Sequence, residues 1–254
     1  MSSSIWTRCA GDSEIRALRL EPWRAVEAQH QLSTRKLVAS ADEQALLEEL
    51  IDRAKPPNVS GTRLHYLLAT PFRYPPLRWG SRFGTKQERG IWYGSETRRA
   101  MFAEVSFYRL VFLEGTHADL GTLTTTLTAF RVSARSAKGI DLVAPPFAAH
   151  QKAIASPVSY SETQPLGRAM RDAGVALFRY PSARDSGGIN VGAFTPVVFG
   201  RSKPRDLEIW YCTANKQLVE LAKRDYFGPE VLAFSRGTFL VDGRLPVPDT
   251  PSTS

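Results

Sequence analysis

The stretch Gly90-Ile91-Trp92-Tyr93-Gly94-Ser95-Glu96-Thr97-Arg98-Arg99-Ala100-Met101-Phe102-Ala103-Glu104 decides the fold class, because its hydrophobic pattern changes period partway along. Gly90 to Gly94 is a short aromatic run between glycines, which reads as a strand. From about Glu96 to Val111 the pattern becomes helical, with Ser95 placed to cap the first turn through its hydroxyl. Ala100, Met101, Phe107 and Tyr108 lie one turn from Glu104, so its carboxylate sits beside or within the apolar stripe. A carboxylate pushed toward a core is costly unless it is paired or used. The spacing also brings the strand-end phenol of Tyr93 and the mid-helix Glu104 within reach of one cleft.

Further toward the C-terminus, Gly121 to Arg135 alternates threonine with aliphatic and aromatic residues and predicts a strand or hairpin. A helix is expected over Thr163 to Ala173, stopped by a left-handed Gly174. Val175 to Phe178 reads as a buried strand and Arg179 to Gly192 as a functional loop. Ala193 to Phe199 and Leu207 to Cys212 are further strand candidates. Toward the N-terminus, Leu64 to Thr70 reads as a strand, followed by a loop rich in proline and arginine that runs to Gly84. Residues 1–60 read as a helical extension. Its clearest segment is Ala41 to Ala54, with Ser40 as cap and Pro56-Pro57 as terminator.

Strands and helices that mix without a steady βαβ rhythm predict an α+β fold, a mixed sheet with flanking helices. The expected organisation is an extension over residues 1–60, a domain over 61–240 and a disordered tail over 241–254. No G-x-G-x-x-G or Walker loop is present, so a bound dinucleotide would not be held by a Rossmann fingerprint.

The 254 residues are 43% apolar and 23% charged, as in ordinary globular proteins. No apolar run reaches about 18 residues, which argues against a membrane span. The first residues lack a basic start followed by an apolar run, so the expected location is cytoplasmic. Cys9 and Cys212 are expected as two reduced thiols. His30, His65, His117 and His150 show no metal-ligand spacing, and no metal is expected. Charge says more. From Gly61 to Arg109 nine basic residues face three acids, which supplies +6 of the chain's net +8, and eight of the nine are arginine. Such a bias suits two-pronged contact with phosphate or carboxylate, although a solvated basic face would look the same.

Three segments could carry chemistry. In Gly80-Ser81-Arg82-Phe83-Gly84 an arginine lies between glycines, where backbone and side chain can approach a ligand together. Glu104 is the second. The third is Arg179-Tyr180-Pro181-Ser182-Ala183-Arg184-Asp185 with the following Gly187-Gly188-Ile189-Asn190, a hydroxyl and an amide suited to ribose or phosphate oxygens. Each also has a plain reading, as a turn or a surface ion pair.

Together, Arg82, Tyr93, Glu104 and Ser182 stand in the order of the motifs of the RES domain, which is named for an arginine, a glutamate and a serine. The chain resembles that family over roughly Thr62 to Phe199. The resemblance implies a fold similar to ADP-ribosyltransferase toxins and a toxin of a toxin–antitoxin pair. The reaction it implies is cleavage of the nicotinamide–ribose bond of NAD+, with phosphate or water as acceptor. NAD+ would be the substrate, phosphate a co-substrate, and no cofactor is implied. Glu104 would stabilise the developing cation and Arg82 would clamp phosphate groups. Tyr93 would contact nicotinamide or ribose, and Ser182 and Asn190 would orient the substrate. The family's additional arginine–tyrosine element is assigned to Arg73 and Tyr74, with Arg63 as another candidate. The implied partner is a cognate antitoxin with a helix-turn-helix part, so that DNA is reached only through it. The first 60 residues are free to serve antitoxin docking or homo-oligomerisation.

Other classes fit parts of the same sequence. One is an ADP-ribosyltransferase acting on a protein, although Phe102 and Ser106 leave Glu104 without a second carboxylate two residues away. Another is a basic nucleic-acid-binding protein or ribonuclease, although the aromatics sit in core-like patterns. The third is a noncatalytic interaction module.

Overall fold

Residues 17–22 alternate in burial with period two, and two strands form on either side of Glu21-Pro22. The computed structural model describes residues 4–27, 40, 42–43, 46, 64–74, 80–118, 120–225, 228 and 230–247. A short helix α1 (Ile5–Arg8) precedes β1 (Arg16–Leu20) and β2 (Trp23–Glu27). Helix α2 (Tyr66–Arg73), β3 (Trp92–Ser95) and the long α3 (Arg98–Gly115) follow, then β4 (Leu123–Arg131) and β5 (Ala134–Asp141). Helices α4 (Gln151–Ile154) and α5 (Thr163–Asp172) lead to β6 (Leu177–Pro181) and β7 (Ile189–Ala193). The chain then forms β8 (Arg205–Ala214), β9 (Leu218–Lys223) and β10 (Val231–Ser235).

The ten strands make one sheet in the order β1-β5-β6-β7-β3-β2-β4-β8-β9-β10. Only the β5–β6 pair is parallel, and α4 and α5 lie in the connection between these two strands. The fold is therefore α+β with a mixed sheet, as expected. Its centre is a narrow seam. β2 runs beside β4 over five register pairs, yet it meets β3 at only one, Trp23↔Ser95. The two halves of the sheet are joined there and separately packed on either side.

Helix α3 covers the β2-to-β10 half. Thr97, not Ser95, caps it, accepting the Ala100 N–H at 3.1 Å. Met101, Phe102, Phe107, Leu110 and Leu113 are buried against Leu127, Trp210, Leu221 and Phe234. Each such apolar side chain contributes about 1.5–3 kcal/mol when fully buried. Helices α1 and α5 pack a second cluster, in which Ile5, Leu166 and Met170 meet Phe83, Ile140 and Phe178. A third gathers Leu68, Trp92, Phe130, Val191 and Phe199.

Several expectations change. The helical extension does not hold for residues 16–27, which build an edge strand and a central strand of the sheet. The helix expected over Ala41–Ala54 lies largely outside the described residues. Leu64–Thr70 is not a strand: His65 accepts the Leu67 N–H at 3.3 Å and starts α2. The strand expected over Ala193–Phe199 ends at Ala193, because Thr195 caps a tight turn over Pro196–Phe199 and Pro196 brings no ladder donor. Of the tail, Val241 and Arg244 form an isolated bridge and Leu245 is buried, while residues 248–254 lie outside the described residues. Helix α5 and its left-handed Gly174 (φ +74°) follow the expectation closely. Cys9 and Cys212 are buried free thiols. Among the described residues no helix is long and apolar enough to cross a membrane.

Candidate functional site

Where β2 and β3 part, a cleft of about 720 Å³ opens. This lies within the range of roughly 300–1,000 Å³ that takes a small-molecule ligand. One wall is a single face of α3, where Met101, Glu104, Val105, Tyr108, Arg109 and Phe112 recur at helical spacing. The other walls come from residues 24–27 of β2, from Tyr93, Gly94 and Ser95, and from Ser81, Arg82, Tyr160, Tyr180 and Asn190.

Glu104 is held by two donors on the same oxygen. Asn190 Nδ2 donates to Oε1 at 2.7 Å and the Ser182 hydroxyl donates to it at 3.2 Å. Each donor is itself oriented. Asn190, on β7, accepts the Ser95 hydroxyl at 2.7 Å through its Oδ1, so its amide has one fixed direction. Ser182 Oγ accepts the backbone N–H groups of Arg184 and Asp185 at 3.1 and 3.2 Å, which turns its hydrogen toward the carboxylate. Glu104 Oε2 accepts no hydrogen bond among the described residues. The carboxylate is thus fixed in direction and keeps one oxygen for a ligand.

Arg82 sits in a tight turn closed by the Ser81↔Gly84 bridge, with Gly80 at φ +72°. The Gln164 side chain on α5 donates to the Ser81 carbonyl at 3.2 Å and anchors the turn. Arg82 is only 8% exposed. Its Nη1 donates to the carbonyls of Ile154 and Ser156 at 3.0 and 2.8 Å, and it lies 5.0 Å from the Tyr160 ring centre. Beside it, the Tyr93 hydroxyl bonds the Ser81 hydroxyl at 2.9 Å and accepts the Phe83 N–H. Burial pushes the Tyr93 phenol up to about 12, so it stays a neutral donor.

Five of the seven expected residues, Arg82, Tyr93, Glu104, Ser182 and Asn190, converge on this cleft. Arg73 and Tyr74 do not. They end α2, and neither lines the cleft. Arg24 does line it, and reading residues 1–60 as helical hid it. Arg24 Nη1 donates to the Tyr93 carbonyl at 2.5 Å, a bond from side chain to strand beside the point where the β2–β3 ladder stops. Its Nε is buried with no hydrogen-bond partner among the described residues, and it has no carboxylate partner there. Burial lowers its pKa to about 10, so it remains charged near neutrality. The signal that could have found it is an arginine in an alternating run, Trp23-Arg24-Ala25-Val26, since a cation inside a central strand must face something polar.

Arg184, in the third segment, does not line the cleft. It lies 3.4 Å above the Phe107 ring centre and donates to the Pro157 carbonyl at 3.2 Å. Burial lowers its pKa while the charge of Glu104 works against that shift. The basic stretch, by contrast, is partly consumed within the fold. Arg98 pairs with Glu208 and Glu230, Arg99 with Asp185, and Arg109 with Glu27. Among the described residues, no group of three or more His, Cys, Asp or Glu side chains is placed to hold a metal.

A comparison with curated proteins gives no match. The family model of the RES domain matches residues 50–213, well over half of the chain and the segment that carries Arg82, Tyr93, Glu104, Ser182 and Asn190. The chain belongs to the RES-domain family.

Proposed function

We propose that this protein breaks the nicotinamide–ribose bond of NAD+, as the toxin of a toxin–antitoxin pair in the cytoplasm. Membership of the RES-domain family supports the link to such pairs and to enzymes acting on NAD+. The observation that carries the reading is the Glu104 carboxylate, fixed by Asn190 and Ser182 at the wall of a cleft that also holds arginines.

Nicotinamide leaves NAD+ as a neutral molecule, so its departure needs little acid catalysis. The ribose it leaves behind is oxocarbenium-like, as in glycoside hydrolysis. Such a centre is stabilised by a preorganised negative charge that need not reorient during the reaction. Glu104 supplies that charge through its free oxygen, either across space or by accepting the ribose 2-hydroxyl. Arg24 and Arg82 offer guanidinium groups to the pyrophosphate or to an attacking phosphate. Neither has a carboxylate partner among the described residues to compete with such a ligand. Tyr93, kept protonated, donates to a ribose or carboxamide oxygen. The acceptor is phosphate or water, and NAD+ is a substrate, so the reaction calls for no resident cofactor.

The same reading includes an ADP-ribosyltransferase-like arrangement of the core, a catalytic unit over residues 61–240 joined by β1 and β2, and a helix-turn-helix antitoxin that covers the cleft. The internal pairing of Arg98, Arg99 and Arg109 weighs against a nucleic-acid-binding surface on the same stretch.

The deciding experiment incubates purified protein with NAD+, with and without inorganic phosphate, and measures product masses. Free nicotinamide with ADP-ribose phosphate identifies phosphorolysis, and nicotinamide with ADP-ribose identifies hydrolysis. Label transferred to protein would replace this reading by protein ADP-ribosylation, and intact NAD+ would end it.

A further inference from the structure

Two large aromatic side chains on the cleft wall take no part in the chemistry described above. Tyr108 and Phe112 are 55% and 56% exposed although both line the cleft. They stand one turn apart on α3, on the same face as Glu104, and Phe112 lies eight residues beyond it, roughly 12 Å along the helix axis. Tyr108 is tethered at its far end, where its hydroxyl meets that of Tyr160 at 3.4 Å. Across the cleft the lining is apolar, with Val26 on β2 and Leu127 on β4. Among the described lining residues, the charged groups at this end are Arg109 and Glu27, and they are paired with each other.

We propose that Tyr108 and Phe112 form the binding platform for the adenine ring of the dinucleotide, an inference that rests on the NAD+ reading of the Glu104 end. The cleft is divided along its length. The Glu104 end offers fixed polar groups and guanidinium groups with no carboxylate partner among the described residues, whereas the Phe112 end offers ring faces, aliphatic side chains and a neutralised ion pair. An extended dinucleotide has the same division, with a reactive cationic ring and pyrophosphate followed by a flat, neutral purine. With the nicotinamide ribose at Glu104, the purine falls on the far part of the same helix face. Ring faces bind purines by stacking, which tolerates an open and solvent-lapped rim.

Two measurements on wild type, Phe112→Leu and Phe112→Trp test this. The first is calorimetric titration with adenosine monophosphate, which needs no turnover. It should bind wild type and Phe112→Trp and bind Phe112→Leu about tenfold more weakly, the scale of one lost base–aromatic stack. The second is nicotinamide release from NAD+ and from nicotinamide mononucleotide, which lacks the adenosine monophosphate half. The ratio of kcat/KM for NAD+ over the mononucleotide should fall about tenfold in Phe112→Leu and recover in Phe112→Trp. Undetectable binding of adenosine monophosphate to wild type, or equal binding to Phe112→Leu, would overturn the platform. If binding behaves as expected but wild type releases no nicotinamide, the platform stands and the cleavage reading falls.

Discussion

Asn190 donates its side-chain amide to Glu104 Oε1 at 2.7 Å from the opposite side of the cleft, although it stands 86 positions further along the chain. The relationship is directional, because the Ser95 hydroxyl occupies Asn190 Oδ1 and leaves only the NH₂ end for the carboxylate. Asn190 is 1% exposed, so no water can replace it without rearrangement. Asn190→Asp sets a second carboxylate against Glu104 and should lower the rate of NAD+ cleavage about 100-fold or more, the scale of one misplaced electrostatic group. Glu104→Gln, which keeps shape and loses charge, should lose about 100- to 1,000-fold with its circular dichroism unchanged. Near-normal nicotinamide release by a folded Glu104→Gln protein would remove Glu104 from the mechanism.

Arg82→Lys should be a poor replacement even though it keeps the charge. The guanidinium spans from the Ile154 and Ser156 carbonyls to the Tyr160 face, and a single ammonium cannot meet all three. A drop of about tenfold or more in kcat/KM for NAD+ is expected, with some loss of stability, since hydrogen bonds from a charged group are worth about 1.5–3 kcal/mol. Steady-state kinetics and a denaturant titration on the same preparation separate the two effects. Unchanged kinetics would show that Arg82 serves only the turn.

Gly167→Ala reverses the usual helix rule. Within a helix, alanine normally stabilises by about 1 kcal/mol over glycine. On α5 the added methyl would sit 2.0 Å from the Phe83 carbonyl oxygen, next to Arg82. The backbone must shift, so a net loss of about 1–3 kcal/mol is expected together with weaker NAD+ cleavage. The unfolding midpoint in denaturant measures the first, and a midpoint at or above wild type would contradict the packing described.

Tyr93 makes stability depend on alkaline pH. Burial raises its folded pKa to about 12, against 10.0 for the ordinary phenol. Above pH 10 the unfolded chain therefore releases this proton first and stability falls with rising pH. The contribution is full below pH 10 and is lost by about pH 12, on the order of 3 kcal/mol. Tyr180, whose phenol burial also raises, adds to the same slope. Tyr93→Phe should flatten part of the decline in unfolding free energy between pH 10 and 12, and an identical slope in both proteins would refute the assignment.

Much of the site is legible in the sequence alone. The strand-to-helix stretch around Tyr93 and Glu104 announced itself by its change of period, and the glycines around Arg82 announced a turn. Local pattern suffices there because capping, periodicity and turn geometry act within a few residues. Leu64–Thr70 shows the limit. A short apolar run fits either periodicity, and the burial of Leu68 and Ala69 beneath the sheet selects the helix.

By itself the sequence determined the mixed α+β character, helices α3 and α5, and a carboxylate whose place on an apolar stripe demanded partners. Only the tertiary structure decided who those partners are, that Arg24 enters the cleft from a strand 58 residues before Arg82, and that Arg73 and Tyr74 stay outside it. The physical reason is that strand pairing is nonlocal. Which strand lies beside β3, and where that pairing stops at Trp23↔Ser95, depends on the packing of both halves of the sheet and not on the residues next to either strand.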